Sequence, residues 1–136
     1  MTYKTLDELQ ACELLPFAAD TGLHAVMVGI SPRRMLTGDG TPATLSPQLV
    51  APDPRRGKTP SSSPTRWRLD AITAAYTPGE AAVQALQAGC DVLLMPNSLP
   101  EAYAAVLEAV QNGTISEERL DRSVNKILLY KQQFAS

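Results

Sequence analysis

The sequence is poor in the residue types that build metal sites and disulfide frameworks. It holds one histidine, His24, and two cysteines, Cys12 and Cys90, in 136 residues. A histidine-based metal site draws on several ligands, and two cysteines form no disulfide network, so we expect neither a metal nor a cofactor. We interpret both cysteines as reduced thiols, which favours a cytoplasmic protein.

Long apolar runs and a strong excess of one charge are also missing. No apolar stretch approaches the ~18 residues that span a membrane, and the polar, acid-bearing residues 1–10 do not have the pattern of a signal peptide. The formal net charge is −2, so the sequence points neither to nucleic acid nor to a membrane surface as a partner. The hydrophobic content of 44% and charged content of 19% are typical of a globular protein.

One stretch has none of the large aliphatic residues of a core. Residues 51–68 contain no Val, Ile, Leu, Phe or Met, but hold four prolines and five basic residues against a single acid. Such a segment buries too little apolar surface to order itself. We therefore predict a disordered Pro/Arg/Ser-rich segment over residues 51–69. Pro60 and Pro64 further argue against a central strand there, because proline donates no ladder hydrogen bond.

The first fifty residues have the pattern of a helix followed by a buried strand. Residues 5–8 have the form of a capping box, which predicts a helix from Leu6, and Gly22 is a natural end for it. The apolar residues 24–29 predict a short buried strand. A helix, a glycine and an apolar strand form the repeating unit of a parallel sheet.

The second half of the chain repeats this pattern more clearly. Thr77 opens another capping box with proline at the first helical position, and Gly89 ends the small-residue helix that follows. Residues 90–95 predict a buried strand. Ser98 and Ser116 are placed to cap two further helices, the last with its apolar residues on one face. The whole pattern predicts an α/β fold.

Three stretches carry motifs of a known family. They are residues 14–29, 40–50 and 71–131, and the last contains TPGEAA, AGCDVLLMP and ISEERLDRSV in that order. These motifs resemble glycoside hydrolase family 3, in particular its bacterial β-N-acetylhexosaminidase and β-glucosidase branch. The resemblance implies a partial (β/α)8 TIM barrel, roughly its last three βα units and the closing helix. A whole barrel takes ~250 residues.

The same resemblance implies a function and a division of the chain. The function is hydrolysis of terminal β-linked sugars, with a β-N-acetylglucosaminide or a β-glucoside as the carbohydrate substrate. The partial barrel domain divides into a helix–strand unit with its loop (1–50), the aberrant segment (51–69) and a terminal helix–strand–helix–helix part (70–136). One strand of the barrel is expected to be replaced by the aberrant segment.

The catalytic nucleophile that the family implies is missing. It is an Asp at the end of the seventh strand, followed closely by Ala-Ile, and here Thr65 stands at about its place before Ala71 and Ile72. Asp70 is the nearest carboxylate, but it falls several residues too late and suits a helix entry or a solvated position better. Without a catalytic carboxylate the covalent route of a retaining glycosidase is closed. We therefore expect no catalytic residue in this chain.

The aberrant segment has a genetic explanation that can be tested. One choice of codons for residues 61–69, read in a shifted frame, translates as Phe-Ile-Val-Ala-Asp-Ala-Leu-Glu-Val, the family's strand and nucleophile pattern. Trp67 has a single codon, and in that frame it yields the expected Leu. Genomic DNA with no Asp codon in the alternative frame would contradict a frameshift.

Three interpretations of the chain therefore stand side by side. It is a catalytically inactive fragment of a glycosidase, a pseudogene remnant without function, or a non-catalytic partner that completes a split barrel with a second, complementing barrel fragment.

Overall fold

A computed structural model describes residues 6–12, 15, 26–27, 41, 45–50, 61–62, 76–94 and 98–134. These ranges contain five helices and two short strands, which we number in chain order. They are α1 (Leu6–Ala11), β1 (Val26–Met27), α2 (Pro47–Val50), β2 (Ser61–Ser62), α3 (Pro78–Ala88), α4 (Leu99–Gln111) and α5 (Glu117–Phe134). Within the described ranges both helices and parallel strands occur, as expected of an α/β protein.

The strands β1 and β2 lie side by side in parallel. Their register pairs Val26 with Ser61 and Met27 with Ser62. The prediction of no strand within residues 51–69 is therefore wrong at β2. The ladder is made by backbone N–H and C=O groups, which serine supplies as well as valine does, and Pro60 and Pro64 stand outside the paired residues. The rest of this segment lies outside the described residues, and its disorder stays a prediction.

The capping box predicted at the start of α3 is confirmed. The Thr77 hydroxyl accepts a hydrogen bond from the Glu80 N–H at 3.2 Å, and Glu80 Oε2 accepts from both the N–H and the hydroxyl of Thr77 at 2.8 Å. Pro78 follows at the first helical position. Gly89 ends the helix at a φ of 116°, a left-handed conformation that a glycine adopts without a Cβ clash.

The Glu80 cap predicts a pH-dependent stability. The hydrogen bond from the Thr77 backbone, and then that from its hydroxyl, lower the pKa of Glu80, while partial desolvation acts in the opposite direction. The folded-state pKa is the lower one, so the stabilisation is fully present above the ordinary value of 4.5. It is lost as the pH falls through the folded-state pKa.

We expect Glu80→Gln to lower the free energy of unfolding at neutral pH, and this difference to narrow as the solution is acidified below the lowered pKa. Urea titrations across that pH range measure it. Glu108→Gln, at an exposed site on α4, is the matched control. A Glu80→Gln effect that does not change with pH would contradict this prediction.

A close contact between α3 and α4 depends on a glycine. A Cβ built on Gly79 would lie 2.7 Å from Ala105 Cβ and 3.5 Å from the Glu101 carbonyl oxygen. Real Cβ atoms do not approach so closely, so a larger residue at this position forces the helices apart.

We expect Gly79→Ala to lower the free energy of unfolding by about 1–3 kcal/mol, the usual cost of overpacking. Alanine is the better helix former, but the steric cost exceeds that gain. Urea denaturation measures the change. Ala105→Gly in the same chain should recover part of the loss, because the two positions share one contact. An equal loss in both backgrounds would show that crowding is not the cause.

The buried apolar residues form two clusters that meet at Leu93. The first cluster joins residues just before and within α2 to α3, and the second joins α3 to α4 and the start of α5. Their buried members are Leu45, Val50, Ala81, Ala85, Ala88 and Cys90 in the first, and Leu86, Ala109 and Ile115 in the second. Cys90 is fully buried, whereas Cys12 is exposed.

Residues 91–94 alternate between a covered and an open side. Asp91 and Leu93 face the helices, whereas the side chains of Val92 and Leu94 are each 40% exposed. Val92 forms a β-bridge. The prediction that this segment is buried throughout is therefore wrong at Val92 and Leu94. Successive side chains of a strand point to opposite faces, and only one face meets the helices.

The two serines predicted to cap the later helices differ. The Ser116 hydroxyl accepts a hydrogen bond from the Arg119 N–H at 3.2 Å, which confirms that prediction. Ser98 is the N-cap residue of α4, as predicted, but its side chain makes no capping hydrogen bond. Pro100, the second residue of α4, has no N–H, so the Glu101 N–H is the one that a capping hydroxyl could use.

Candidate functional site

A buried polar cluster centres on Asp91, whose side chain is only 1% exposed. The Ser123 hydroxyl donates to Asp91 Oδ1 at 2.7 Å, and Lys126 Nζ donates to Oδ2 at 3.0 Å. A buried carboxylate is costly unless it is paired and hydrogen-bonded. Here each of its oxygens has a donor, and one donor is a cation.

Arg119 connects this carboxylate to the backbone beside it. Its Nη1 lies 3.5 Å from Asp91 Oδ1 and donates a hydrogen bond to the Ser123 hydroxyl. Its Nη2 donates to the Cys90 carbonyl oxygen at 2.8 Å. We call Asp91, Arg119, Ser123 and Lys126 the Asp91 cluster. It joins the segment 90–94 to α5.

The local sequence explains why α5 presents these three side chains together. Arg119, Ser123 and Lys126 are spaced by four and three residues, so they lie on one face of the helix. Ser116 caps the helix, and acidic residues in its first turn and Lys131 in its last suit the helix dipole. The cluster is thus held on a well-formed helix.

The position of the Asp91 cluster favours a structural role over a catalytic one. Asp91 precedes Val92 and Leu94, so it lies at the N-terminal end of its strand segment. In an α/β barrel, the architecture that the sequence predicts, the chemistry occurs at the opposite, C-terminal ends of the strands, and the N-terminal face contributes stability. Each oxygen of the Asp91 carboxylate also already accepts a hydrogen bond within the cluster.

Sequence reasoning missed this cluster, although a signal for it exists. Asp91 is a single carboxylate inside an apolar run, and such a residue needs a buried partner. Arg119, Ser123 and Lys126 supply such partners on one face of α5. However, α5 lies about thirty residues beyond Asp91 in the chain.

The two residues considered for the catalytic position, Thr65 and Asp70, lie outside the described residues, as do His24 and residues 95–97. The missing nucleophile and the weak candidacy of Asp70 therefore stay predictions.

Within the part of the chain that the structure describes, no group of three or more His, Cys, Asp or Glu side chains comes together as a metal site would require. None of its helices combines the length and apolar character needed to cross a membrane.

The described helices and parallel strands define an α/β protein, and comparison with known proteins identifies the family. The chain matches the family described as glycosyl hydrolase family 3 N terminal domain over residues 1–129. It is 35% identical over 117 residues to the β-hexosaminidase of Methylococcus capsulatus. The aligned region covers 83% of this chain and 34% of that relative. The chain therefore belongs to glycoside hydrolase family 3.

Solved structures agree with this assignment. A family 3 β-N-acetylglucosaminidase from Paenibacillus superposes with a TM-score of 0.82 at 33% identity, covering 97% of this chain and 26% of that one. The β-N-acetylglucosaminidase of Thermotoga maritima shares the fold, with a TM-score of 0.79 at 20% identity, covering 93% of this chain and 30% of that one. The chain thus spans about a quarter to a third of the length of these relatives.

Proposed function

We propose that this chain is part of the catalytic barrel of a family 3 β-N-acetylhexosaminidase and is inactive by itself. The observation that carries the proposal is the match to a β-hexosaminidase at 35% identity, which covers only 34% of that relative. The solved β-N-acetylglucosaminidase from Paenibacillus supports terminal β-linked N-acetylglucosamine as the substrate class, with a β-glucoside as the alternative within the family.

The arrangement of the described elements supports the assignment to the last three βα units. β1 is followed by α2, β2 by α3, and the segment 90–94 by α4 and α5. The parallel pairing of β1 with β2 across a long connection is the geometry of neighbouring barrel strands.

A replacement chimera tests the proposal. The segment of the Methylococcus capsulatus β-hexosaminidase that matches this chain is exchanged for the chain itself, and the chimera is assayed with aryl N-acetyl-β-D-glucosaminide and aryl β-D-glucoside. We expect a folded chimera without turnover. A second chimera, in which the relative's own sequence replaces residues 51–69, is expected to hydrolyse the N-acetylglucosaminide.

The two chimeras separate the parts of the proposal. Turnover by the first chimera would contradict the proposal that this chain lacks the nucleophile. A second chimera that folds but is inactive would overturn the equivalence of the remaining residues to the hexosaminidase barrel. Preference for the glucoside would favour the alternative substrate.

A second candidate function is that of a non-catalytic partner in a split barrel. The observation that favours it is the open side of the segment 90–94, where Val92 and Leu94 are apolar and 40% exposed. Side chains at such positions pack against the other strands in a closed barrel. Co-expression of this chain with the unmatched part of the β-hexosaminidase, followed by co-purification, tests this function. If the two do not associate, the interpretations as an inactive fragment or as a remnant without function are left.

A further inference from the structure

The attachment of α5 to the rest of the described structure is mostly polar. Ser123 is its one buried residue among those described. Leu120 is the α5 side chain that packs against a buried apolar cluster. Val124, Leu128 and Leu129 are between 49% and 60% exposed. We infer that α5 is a releasable strap and that the Asp91 cluster is the fastening that holds it against the segment 90–94.

The contacts on the two sides of the strap explain why it can open. Val124, Leu128 and Leu129 are only about half covered, whereas Ala81, Ala82 and Ala85 of α3 are fully buried, so the hydrophobic effect resists the release of α5 less than that of α3. Among the described contacts of α5, the pairing of Asp91 with Arg119, Ser123 and Lys126 is the main polar resistance to that release. Removing one partner of a buried ion pair leaves the other uncompensated, which is strongly unfavourable.

The two cations differ from the carboxylate in their access to water. The Lys126 side chain is 40% exposed and that of Arg119 18%, against 1% for Asp91. The Asp91 carboxylate is therefore the buried element on which the fastening depends. Loss of its charge removes the attraction for both cations, which can then turn to solvent.

The helices α3 and α4 are held in a different way. They share the close contact at Gly79 and Ala105 and the apolar clusters around Leu93. They form a unit that does not depend on Asp91. The chain thus has two levels of local stability, and units of this kind open independently in native proteins.

Hydrogen exchange of the full chain, followed by mass spectrometry of peptides from α3, α4 and α5, tests the strap. In Asp91→Asn we expect amide exchange in α5 to speed up by about tenfold to a hundredfold, while α3 and α4 stay within about twofold of the unsubstituted protein. Asp121→Asn, at an exposed position on the same helix, is the matched control and should leave all three helices unchanged.

Two results would overturn the inference. One is a common loss of protection in all three helices of Asp91→Asn, which would make the cluster part of a single cooperative unit. The other is an unchanged α5. Ser123→Ala removes one hydrogen-bond donor and keeps all three charged side chains of the Asp91 cluster. It should therefore also speed up exchange selectively in α5, but by a smaller factor.

If Asp91→Asn does not fold, the unsubstituted protein decides the matter. At low salt α5 should exchange faster than α3, and the gap should widen as NaCl rises from about 0.05 M to about 1 M, because salt screens the partly exposed cations. Equal exchange of α3 and α5 at every salt concentration would overturn the inference.

Discussion

The chain by itself is expected to give no measurable turnover of an aryl N-acetyl-β-D-glucosaminide. Retaining glycosidases need one carboxylate as nucleophile and a second group as acid/base, and Thr65 stands where the family implies the nucleophile. Without the covalent route the rate should fall by at least about a millionfold, the lower end of enzymatic rate enhancement. The chain also covers only 34% of the β-hexosaminidase that it matches.

Release of the aryl group, followed spectrophotometrically at high protein concentration, measures this. The Methylococcus capsulatus β-hexosaminidase serves as the positive control under the same conditions. Asp70→Asn is the matched variant. Turnover that this substitution abolishes would make Asp70 the nucleophile and would reverse the expectation, whereas turnover that it leaves intact would point to a contaminating enzyme.

Asp91→Ala is expected to have the largest effect of any substitution on stability, a loss of about 3–5 kcal/mol in the free energy that keeps α5 in place. The substitution leaves Arg119 without the carboxylate that it faces and leaves a polar void in front of Ser123. It removes more than Asp91→Asn does, because asparagine still fills the space and offers an oxygen to the Ser123 hydroxyl.

Urea titration followed by far-UV circular dichroism measures the loss, because α5, with 18 residues, is the longest of the described helices. Lys126→Met and the double variant complete a cycle. The double variant should lose clearly less than the sum of the single losses, since both substitutions break one interaction. Strict additivity would mean that the 3.0 Å contact between Lys126 and Asp91 contributes no coupling.

The features that sequence predicts correctly are those encoded within a few residues. The capping box at Thr77, the left-handed Gly89 and the cap at Ser116 each depend on neighbours in the same turn. The missing side-chain bond at Ser98 is local too, because Pro100 removes one of the two N–H groups that a capping hydroxyl can reach. The family motifs likewise lie in continuous stretches.

The features that sequence misses depend on distant partners. β2 forms at two serines because β1 offers its backbone, whatever the side chains are. Val92 and Leu94 are apolar in sequence, but nothing in their own segment says which face the helices cover. The Asp91 cluster needs the segment 90–94 and α5 to meet, and no periodicity within either one encodes that meeting.

The two cysteines can report on the opening of this structure. Cys12 is exposed and Cys90 is buried, with its carbonyl oxygen bonded to Arg119. A thiol reagent therefore meets one cysteine at once and reaches the other only when the structure around it opens. The labelling rate of Cys90 relative to that of Cys12 therefore measures how often the structure around Cys90 opens, without a dye or an added tag. With only two cysteines, the chain is well suited to such labelling experiments.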